Sequence, residues 1–183
     1  LTIAVFTRIM EDPRLARLEA GIVLQAYLPD ALPALRELTA WAKDRVDHGG
    51  APIKVRLVKG ANLAMERVEA SLHGWTPAPY DTKIDTDANY LRCLDAALTP
   101  ESVRAVRVGV AGHNLFDIAY AWLLAGDRGV RPEAGEAASG SAPVEFEMLL
   151  GMALGQVGAV GREVGHGLLY VRGQHADYDH WRQ

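Results

Sequence analysis

The sequence Ile-Lys-Val-Arg-Leu-Val-Lys at residues 53–59 alternates between apolar and polar side chains. A period of two is typical of a β-strand, because successive side chains point to opposite faces of a sheet. One face holds Ile53, Val55 and Leu57, and the other holds Lys54, Arg56 and Val58. A strand covered by helices on both faces is usually apolar throughout. This strand is therefore predicted to have one face on a core and the other towards something polar.

Short runs rich in β-branched residues recur along the chain and alternate with helical patterns. The predicted strands are Gly21–Tyr27, Ile53–Lys59, Ala105–Ala111, Val144–Leu149 and Gly167–Val171. The predicted helices are Pro29–Val46, Asn89–Leu98 and Phe116–Leu124, and Phe146–Val160 begins as a strand and continues as a helix. This alternation indicates βαβ units around a parallel sheet.

Such units form either an open doubly wound sheet or part of a barrel. Gln25, Arg56 and His113 lie at or just beyond the carboxyl ends of three successive predicted strands, on the polar face. Inward-facing polar groups at these strand ends are the usual location of a barrel active site. We therefore predict an α/β fold that is a partial (β/α)₈ TIM-like barrel.

Length and composition restrict the classes of protein. A chain of 183 residues with 49% hydrophobic residues can bury one core, but a closed eight-unit barrel usually needs about 250 residues. The chain begins at Leu1 rather than Met, so we expect a fragment. The formal charge of −4 gives no attraction to nucleic acid. A single cysteine, Cys93, and no apolar run long enough to span a membrane favour the cytoplasm.

One segment departs from these regular patterns. Arg131–Pro143 is rich in Gly, Ala, Ser, Pro and Glu and has no apolar period. We predict a flexible surface insertion there.

Arg56 is the strongest candidate for chemistry. An inward-facing arginine keeps its charge, so its burial is costly unless an anion or a polarised acceptor compensates it. The residue pattern leaves two explanations open, a bound ligand or an internal ion pair with a carboxylate such as Glu147.

Two strand ends offer further candidates. The second strand ends with Lys59, Gly60 and Ala61, where glycine lets backbone approach a ligand closely. His113 follows the end of the third strand and starts a helix, where backbone N–H groups can meet an anion. A structural, capped histidine is the alternative explanation for His113.

Other features indicate no site. Cys93 lies within a helical pattern and is interpreted as a buried, inert thiol. The histidines of 175–180 have no spacing that fixes a tetrahedral centre, so no metal is predicted. No phosphate-binding loop, nucleophile elbow or dinucleotide-binding glycine motif occurs.

Five ordered blocks resemble the proline dehydrogenase domain, most closely that of bacterial bifunctional proline-utilisation flavoproteins. The similarity runs from Leu1 to about Tyr170, and the Arg-Leu-Val-Lys-Gly-Ala block is its most specific part. The blocks are Gly21–Tyr27, Arg56–Ala61, Tyr80–Asp87, Gly112–Asn114 and Phe146–Met152.

The resemblance implies a distorted (β/α)₈ barrel with non-covalent FAD. It also implies oxidation of L-proline to 1-pyrroline-5-carboxylate, with electrons passed to a membrane quinone. A full-length protein of this kind would be cytoplasmic or peripheral at the inner face of the membrane, with a fused or partner aldehyde dehydrogenase domain.

The same resemblance assigns roles to individual residues. Gln25 and Arg56 would hydrogen-bond the flavin ring, and Arg56 would stabilise the charge that develops on reduction. Leu149 and Tyr170 would form walls of the proline site. The remaining cofactor contacts would come from Lys59, Gly60, Ala61, Gly112 and His113.

The chain departs from the family pattern at several points. Many members have Tyr where this chain has Asn62, and many have Thr where it has Gly112. The family's substrate-binding Lys and active-site Asp come from strands before Leu1, and its paired Arg-Arg has no match after Tyr170. The tail 172–183 is unmatched. We therefore expect residues 1–171 to supply roughly strands four to eight, with an incomplete last unit, and to be inactive alone.

Two alternatives stay open at this point. An aldolase-like barrel would use Lys59 as a Schiff base with a carbonyl substrate. A non-catalytic remnant would bind at most part of a flavin.

Overall fold

The computed structural model describes residues 2–131, 142–149, 151–164 and 168–171, the last of these as backbone. The predicted flexible segment falls mostly within residues 132–141, which lie outside the described residues, as does the tail 172–183.

The chain is a mixed α/β structure built on a parallel sheet. The strands are β1 (Gly21–Gln25), β2 (Ile53–Val58), β3 (Val106–Ala111), β4 (Val144–Leu149) and β5 (Leu168–Val171). They lie in the order β1-β2-β3-β4-β5, and all four neighbouring pairs are parallel. All five predicted strands are thus confirmed, with ends that differ by at most two residues.

One helix precedes β1, and the other helices connect successive strands. They are α1 (Thr2–Met10), α2 (Ala31–Asp47), α3 (Leu63–His73), α4 (Lys83–Ala97), α5 (Pro100–Val103), α6 (Leu115–Asp127) and α7 (Leu154–Val164), with a 3-10 turn at Pro13–Leu15. The helical patterns of the sequence correspond to α2, α4, α6 and α7. The sequence analysis did not predict α3, because its apolar residues are mostly exposed and Ala70 alone is buried.

The core lies between the sheet and the helices. The alternate residues Ile53, Val55 and Leu57 of β2 are at most 1% exposed. Helix α4 contacts β2 and β3, and α2 contacts β1 and β3. On β4, the ring of Phe146 meets Trp122 of α6 edge to face, with centroids 5.9 Å apart. Burial of these large side chains is the main stabilising contribution.

The other face of the sheet is polar. The register pairs Arg56 with Gly109 and Val23, and Gly109 with Glu145. Because side chains of paired residues share a face, Lys54, Arg56, Glu145 and Glu147 all project from this face. The two-sided character predicted from residues 53–59 is confirmed.

Helix starts at the carboxyl edge of the sheet are capped by side chains. Thr82 accepts a hydrogen bond from the backbone N–H of Asp85 at the start of α4. Asn114 accepts one from the N–H of Phe116 at 2.9 Å, which starts α6 directly after β3. The cap fixes where the chain turns after His113.

No described helix has the length and apolar character that crossing a bilayer requires.

Candidate functional site

A cavity of about 360 Å³ lies at the carboxyl ends of β2, β3 and β4. Seven of the nine residues predicted for the site line it: Arg56, Lys59, Gly60, Ala61, Gly112, His113 and Leu149. Val58, Ala111, Asn114, Asp117, Glu147 and Met148 complete the lining. These seven residues thus lie together at one edge of the sheet.

Arg56 is held by a buried carboxylate and is still partly open. Its Nε donates to Oε2 of Glu147, which is 2% exposed, so the ion pair expected from the sequence is present. The Arg56 side chain keeps 33% of its exposure. Within the described residues its two terminal nitrogens have no hydrogen-bond partner. The ion pair leaves the two terminal nitrogens of Arg56 without a partner among the described residues, so it is compatible with a ligand at the same guanidinium.

Lys54 completes a cluster of four charges on the polar face. Its Nζ lies 2.8 Å from Oε1 of Glu147 and also donates to Glu145. Burial lowers the pKa of Lys54, but the hydrogen bonds and charges of the two carboxylates outweigh it and hold the pKa above its ordinary value. The amine stays charged.

Lys59 points towards the helices rather than along the polar face. Its Nζ lies 2.6 Å from Asp117 of α6, 2.6 Å from Asp87 of α4 and 5.6 Å from the centre of the Tyr90 ring. Burial lowers the pKa of Lys59, but the two carboxylates outweigh it and raise the pKa above its usual range. A Schiff-base lysine must lose its proton to attack a carbonyl. The aldolase alternative therefore has no support at Lys59.

Gly60 lets the chain pass close to an aromatic ring. Its φ is +141°, and a Cβ there would lie 2.5 Å from the Tyr27 ring. The N–H of Tyr27 also donates to the carbonyl of Lys59 at 2.7 Å. This packing fixes the path of Gly60 and Ala61 along the cavity.

His113 joins the ends of two strands. Its Nε2 accepts the backbone N–H of Leu149 at 3.1 Å, so in the neutral ring the proton sits on Nδ1. That Nδ1 is buried and has no partner among the described residues. Beside it, no described residue other than the chain neighbours of Gly112 comes within 4 Å of the position that a Cβ of Gly112 would take. The cavity thus offers an unused donor and free space together.

Gln25 and Tyr170 differ from the other predicted residues. Gln25 shares the polar face and pairs in register with Val58, but it lies outside the cavity lining. Burial and Glu66 raise the pKa of the Tyr27 hydroxyl, and a hydrogen bond from Gln25 offsets part of this rise. Tyr170 pairs in register with Met148, but its side chain lies outside the described residues.

Residues that the sequence analysis passed over also shape the site. Asp117 and Asp87 hold Lys59, although neither was a candidate. Asp117 could have been found from its place in the first turn of α6, where a carboxylate is favourable.

The two negative expectations concern thiol and metal chemistry. Cys93 is fully buried, and this burial raises its pKa to about 11, as an inert thiol requires. The described residues include no group of three metal-ligating side chains, and the histidines of 175–180 lie outside them.

Solved structures share this fold and much of this sequence. Proline utilization A (PutA) from Corynebacterium freiburgense superimposes with a TM-score of 0.82 at 50% identity, over 93% of this chain and 17% of that chain. PutA from Bdellovibrio bacteriovorus, inactivated by N-propargylglycine, gives 0.79 at 32% identity, over 93% and 16%. Hydroxyproline dehydrogenase from Bos taurus is 34% identical over 79% of this chain and 31% of that protein. The chain thus spans less than a third of each relative.

The family model described as proline dehydrogenase matches residues 1–176 of the 183. This match covers nearly the whole chain, and it includes every block that carried the resemblance in the sequence. The chain belongs to the proline dehydrogenase family.

Proposed function

We propose that the chain forms the flavin-binding part of an enzyme that oxidises L-proline to 1-pyrroline-5-carboxylate with FAD in proline catabolism. The observation that carries the proposal is the Arg56 guanidinium at the cavity, which is fixed through Nε and whose terminal nitrogens have no partner among the described residues. Family membership supports the same assignment.

The sheet is proposed to be strands four to eight of a (β/α)₈ barrel, with the last unit incomplete. Its sequential strand order and its charged second face support this, because a barrel wall has both properties. Residues 1–171 would form this part of the barrel, with 131–143 as an insertion and 172–183 as a separate tail.

The residues present fit a flavin. Among the described residues, the buried Nδ1–H of His113 has no partner and the space at Gly112 is open. Arg56, Gly60, Ala61, Gly112 and His113 would hold the cofactor, with Gln25 and the backbone at Lys59 beside them. When bound, FAD supplies the two-electron oxidising power of the reaction.

The chain's own residues would bind and orient the reacting groups. Arg56 would donate hydrogen bonds to the ring and stabilise negative charge there. Leu149 and Tyr170 would form walls that exclude water from the proline ring.

The net reaction removes two electrons and two protons from L-proline and forms a carbon–nitrogen double bond. A quinone at the membrane is the proposed acceptor of those electrons. The product is the substrate class of an aldehyde dehydrogenase after hydrolysis, so a fused or partner domain of that class is proposed, in the cytoplasm or at the inner face of the membrane.

A chimera tests the proposal directly. The chain would replace the matching stretch of PutA from Corynebacterium freiburgense, to which it is 50% identical. We expect a yellow holoprotein that reduces a dye with L-proline. A colourless chimera, or one that binds FAD but does not oxidise proline, would contradict the proposal, and the second result would favour a flavin-binding remnant.

The role of Arg56 is tested in the same chimera with Arg56→Met. Loss of charge-assisted hydrogen bonds worth about 1.5 to 3 kcal/mol should weaken FAD binding roughly 10- to 100-fold. Arg36→Met is the matched control, because Arg36 is an exposed arginine on α2 that lies outside the cavity. Equal effects of the two substitutions would remove Arg56 from the site.

A further inference from the structure

We propose that Glu147 is a positioning residue for Arg56, and that through Arg56 it sets the relative affinity of the site for reduced and oxidised flavin. The inference rests on the proposed function for the flavin, but the geometry of the pair is independent of it. Glu147 holds Nε and leaves the two terminal nitrogens for the cavity.

The glycine of the intervening strand makes the pairing possible. Arg56 is on β2 and Glu147 is on β4, so their side chains must meet across β3. Gly109 lies between them, and a Cβ there would be 2.4 Å from Glu147 Oε1 and 3.3 Å from Lys54 Cε. The missing side chain therefore opens the path through which carboxylate and guanidinium meet.

The charges of the cluster balance, and their distribution singles out Arg56. Lys54 divides its contacts between Glu145 and Glu147, whereas Arg56 pairs with Glu147 alone among the described residues. Two cations and two carboxylates give a net charge of zero. Removal of the Glu147 charge leaves one unbalanced positive charge beside the cavity, within reach of a ligand.

A fixed Nε constrains the whole guanidinium, because the group is planar. With one edge bonded to Glu147, the terminal nitrogens can point in few directions. Without this anchor, the guanidinium of Arg56 would lose its fixed direction. Its positive charge would also no longer be neutralised by Glu147. Both changes affect the relative affinity of the site for reduced and oxidised flavin, because the reduced flavin carries more negative charge.

The first test needs no cofactor. In the 183-residue chain, exchange of the Arg56 Nε–H with solvent would be measured by nitrogen-15 NMR, with assignment by Arg56→Lys. Because a charge-assisted bond is about twice as strong as a neutral one, Glu147→Gln should exchange at least tenfold faster. Exchange within twofold of the unmodified chain would overturn the positioning role.

A matched control lies on the same strand and face. Glu145→Gln removes a carboxylate that contacts Lys54 but not Arg56, so exchange at Arg56 should not change. If Glu147→Gln does not fold, Gly109→Ala replaces it, since the added methyl displaces Oε1 and should speed exchange in the same way. An equal response to Glu145→Gln would also overturn the proposal.

The second test measures the flavin. In the holoprotein chimera, Glu147→Gln should raise the affinity for reduced relative to oxidised FAD about tenfold, which is about 30 mV more positive for a two-electron couple. An unchanged potential would overturn the link to the flavin. Failure of the unmodified chimera to bind FAD would instead overturn the proposed function, and the exchange measurement would still decide the role of Glu147.

Discussion

Three glycines at the site serve three different purposes. Gly60 adopts a φ of +141° against the Tyr27 ring, Gly109 leaves room for a carboxylate, and Gly112 borders open space. The sequence led us to expect that Gly60 lets the backbone approach a ligand closely, whereas its close neighbour in the structure is the Tyr27 ring. The sequence could not predict the second, because the need for Gly109 depends on side chains from β2 and β4.

Substitution of alanine for two of these glycines should have different effects on the free energy of unfolding. Gly60→Ala combines an unfavourable φ with a clash, so it should lower the free energy of unfolding by about 1 to 3 kcal/mol. Gly112→Ala has space for its methyl group and should stay within about 0.5 kcal/mol of the unmodified chain. Urea unfolding of both variants checks this, and equal losses would contradict the geometry at Gly60.

At the scale of elements, α4 fixes the ends of β1 and β2. Asn89 donates to the carbonyls of Ala26 and Leu28 at 3.0 and 3.1 Å, and Asp87 binds Lys59. The helix thus ties both strand ends that border the cavity. A displacement of α4 should therefore also displace the strand ends that border the cavity.

The first prediction for α4 is that the stabilising contribution of Asp87 is lost in acid. Burial raises the pKa of Asp87, but Lys59 and Lys83 outweigh it and hold the pKa below its ordinary 3.8. Because folding lowers the pKa of this carboxyl group, its ionised form stabilises the fold at a pH above 3.8. This contribution is lost as the pH falls through the pKa of the folded state. Asp87→Asn should therefore cost about 1 kcal/mol at neutral pH, with a gap that closes below pH 3.8.

Urea unfolding across this pH range measures the gap. Asp44→Asn, an exposed change on α2, serves as the control and should show little difference at any pH. A gap for Asp87→Asn that stays constant into acid would contradict the ion pair.

The second prediction for α4 is that the stabilising contribution of the neutral Cys93 thiol is lost at alkaline pH. Burial raises the pKa of Cys93 from 9.0 to about 11. The neutral thiol therefore stabilises the fold below pH 9.0, and this is lost as the pH rises towards 11. The loss amounts to about 2 to 3 kcal/mol. Since Cys93→Ala cannot titrate, its stability relative to the unmodified chain should rise by that amount, as measured by urea unfolding at neutral pH and at pH 11.

Element type and order followed from the sequence, and side-chain direction followed only in part. The alternation in residues 53–59 predicted β2 and both its faces. Lys59 shares the parity of Leu57 and so turns to the helices, whereas its expected cofactor contact came from the family resemblance. Helix α3 was not predicted because it presents no continuous apolar face to the core. The sequence places Asp117 in the first turn of α6, but its contact with Lys59 could not be predicted, because it depends on where that turn lies relative to the end of β2.

At the scale of the whole molecule, one face of the described sheet is buried in the hydrophobic core and the other is more exposed. Val55 on β2 is 0% exposed, whereas Val23 on β1, on the opposite face, is 48% exposed. The hydrophobic contribution of a strand residue should therefore depend on its parity.

Matched substitutions test this asymmetry. Val55→Ala should cost about 2 kcal/mol through lost burial and a residual cavity. Val23→Ala should cost less than about 0.5 kcal/mol. Chemical denaturation of the 183-residue chain gives both values. A comparable loss at Val23 would show that the polar face is covered in solution.

The strand order β1-β2-β3-β4-β5 also bears on biosynthesis. Each strand pairs with the one translated just before it, so no strand has to wait for a distant partner. A ribosome that releases the chain at about 5 to 20 residues per second could add each βα unit to a sheet that already exists. Because Gly109 leaves the ribosome before Glu147, β3 can join the sheet first and present an open path when the carboxylate arrives.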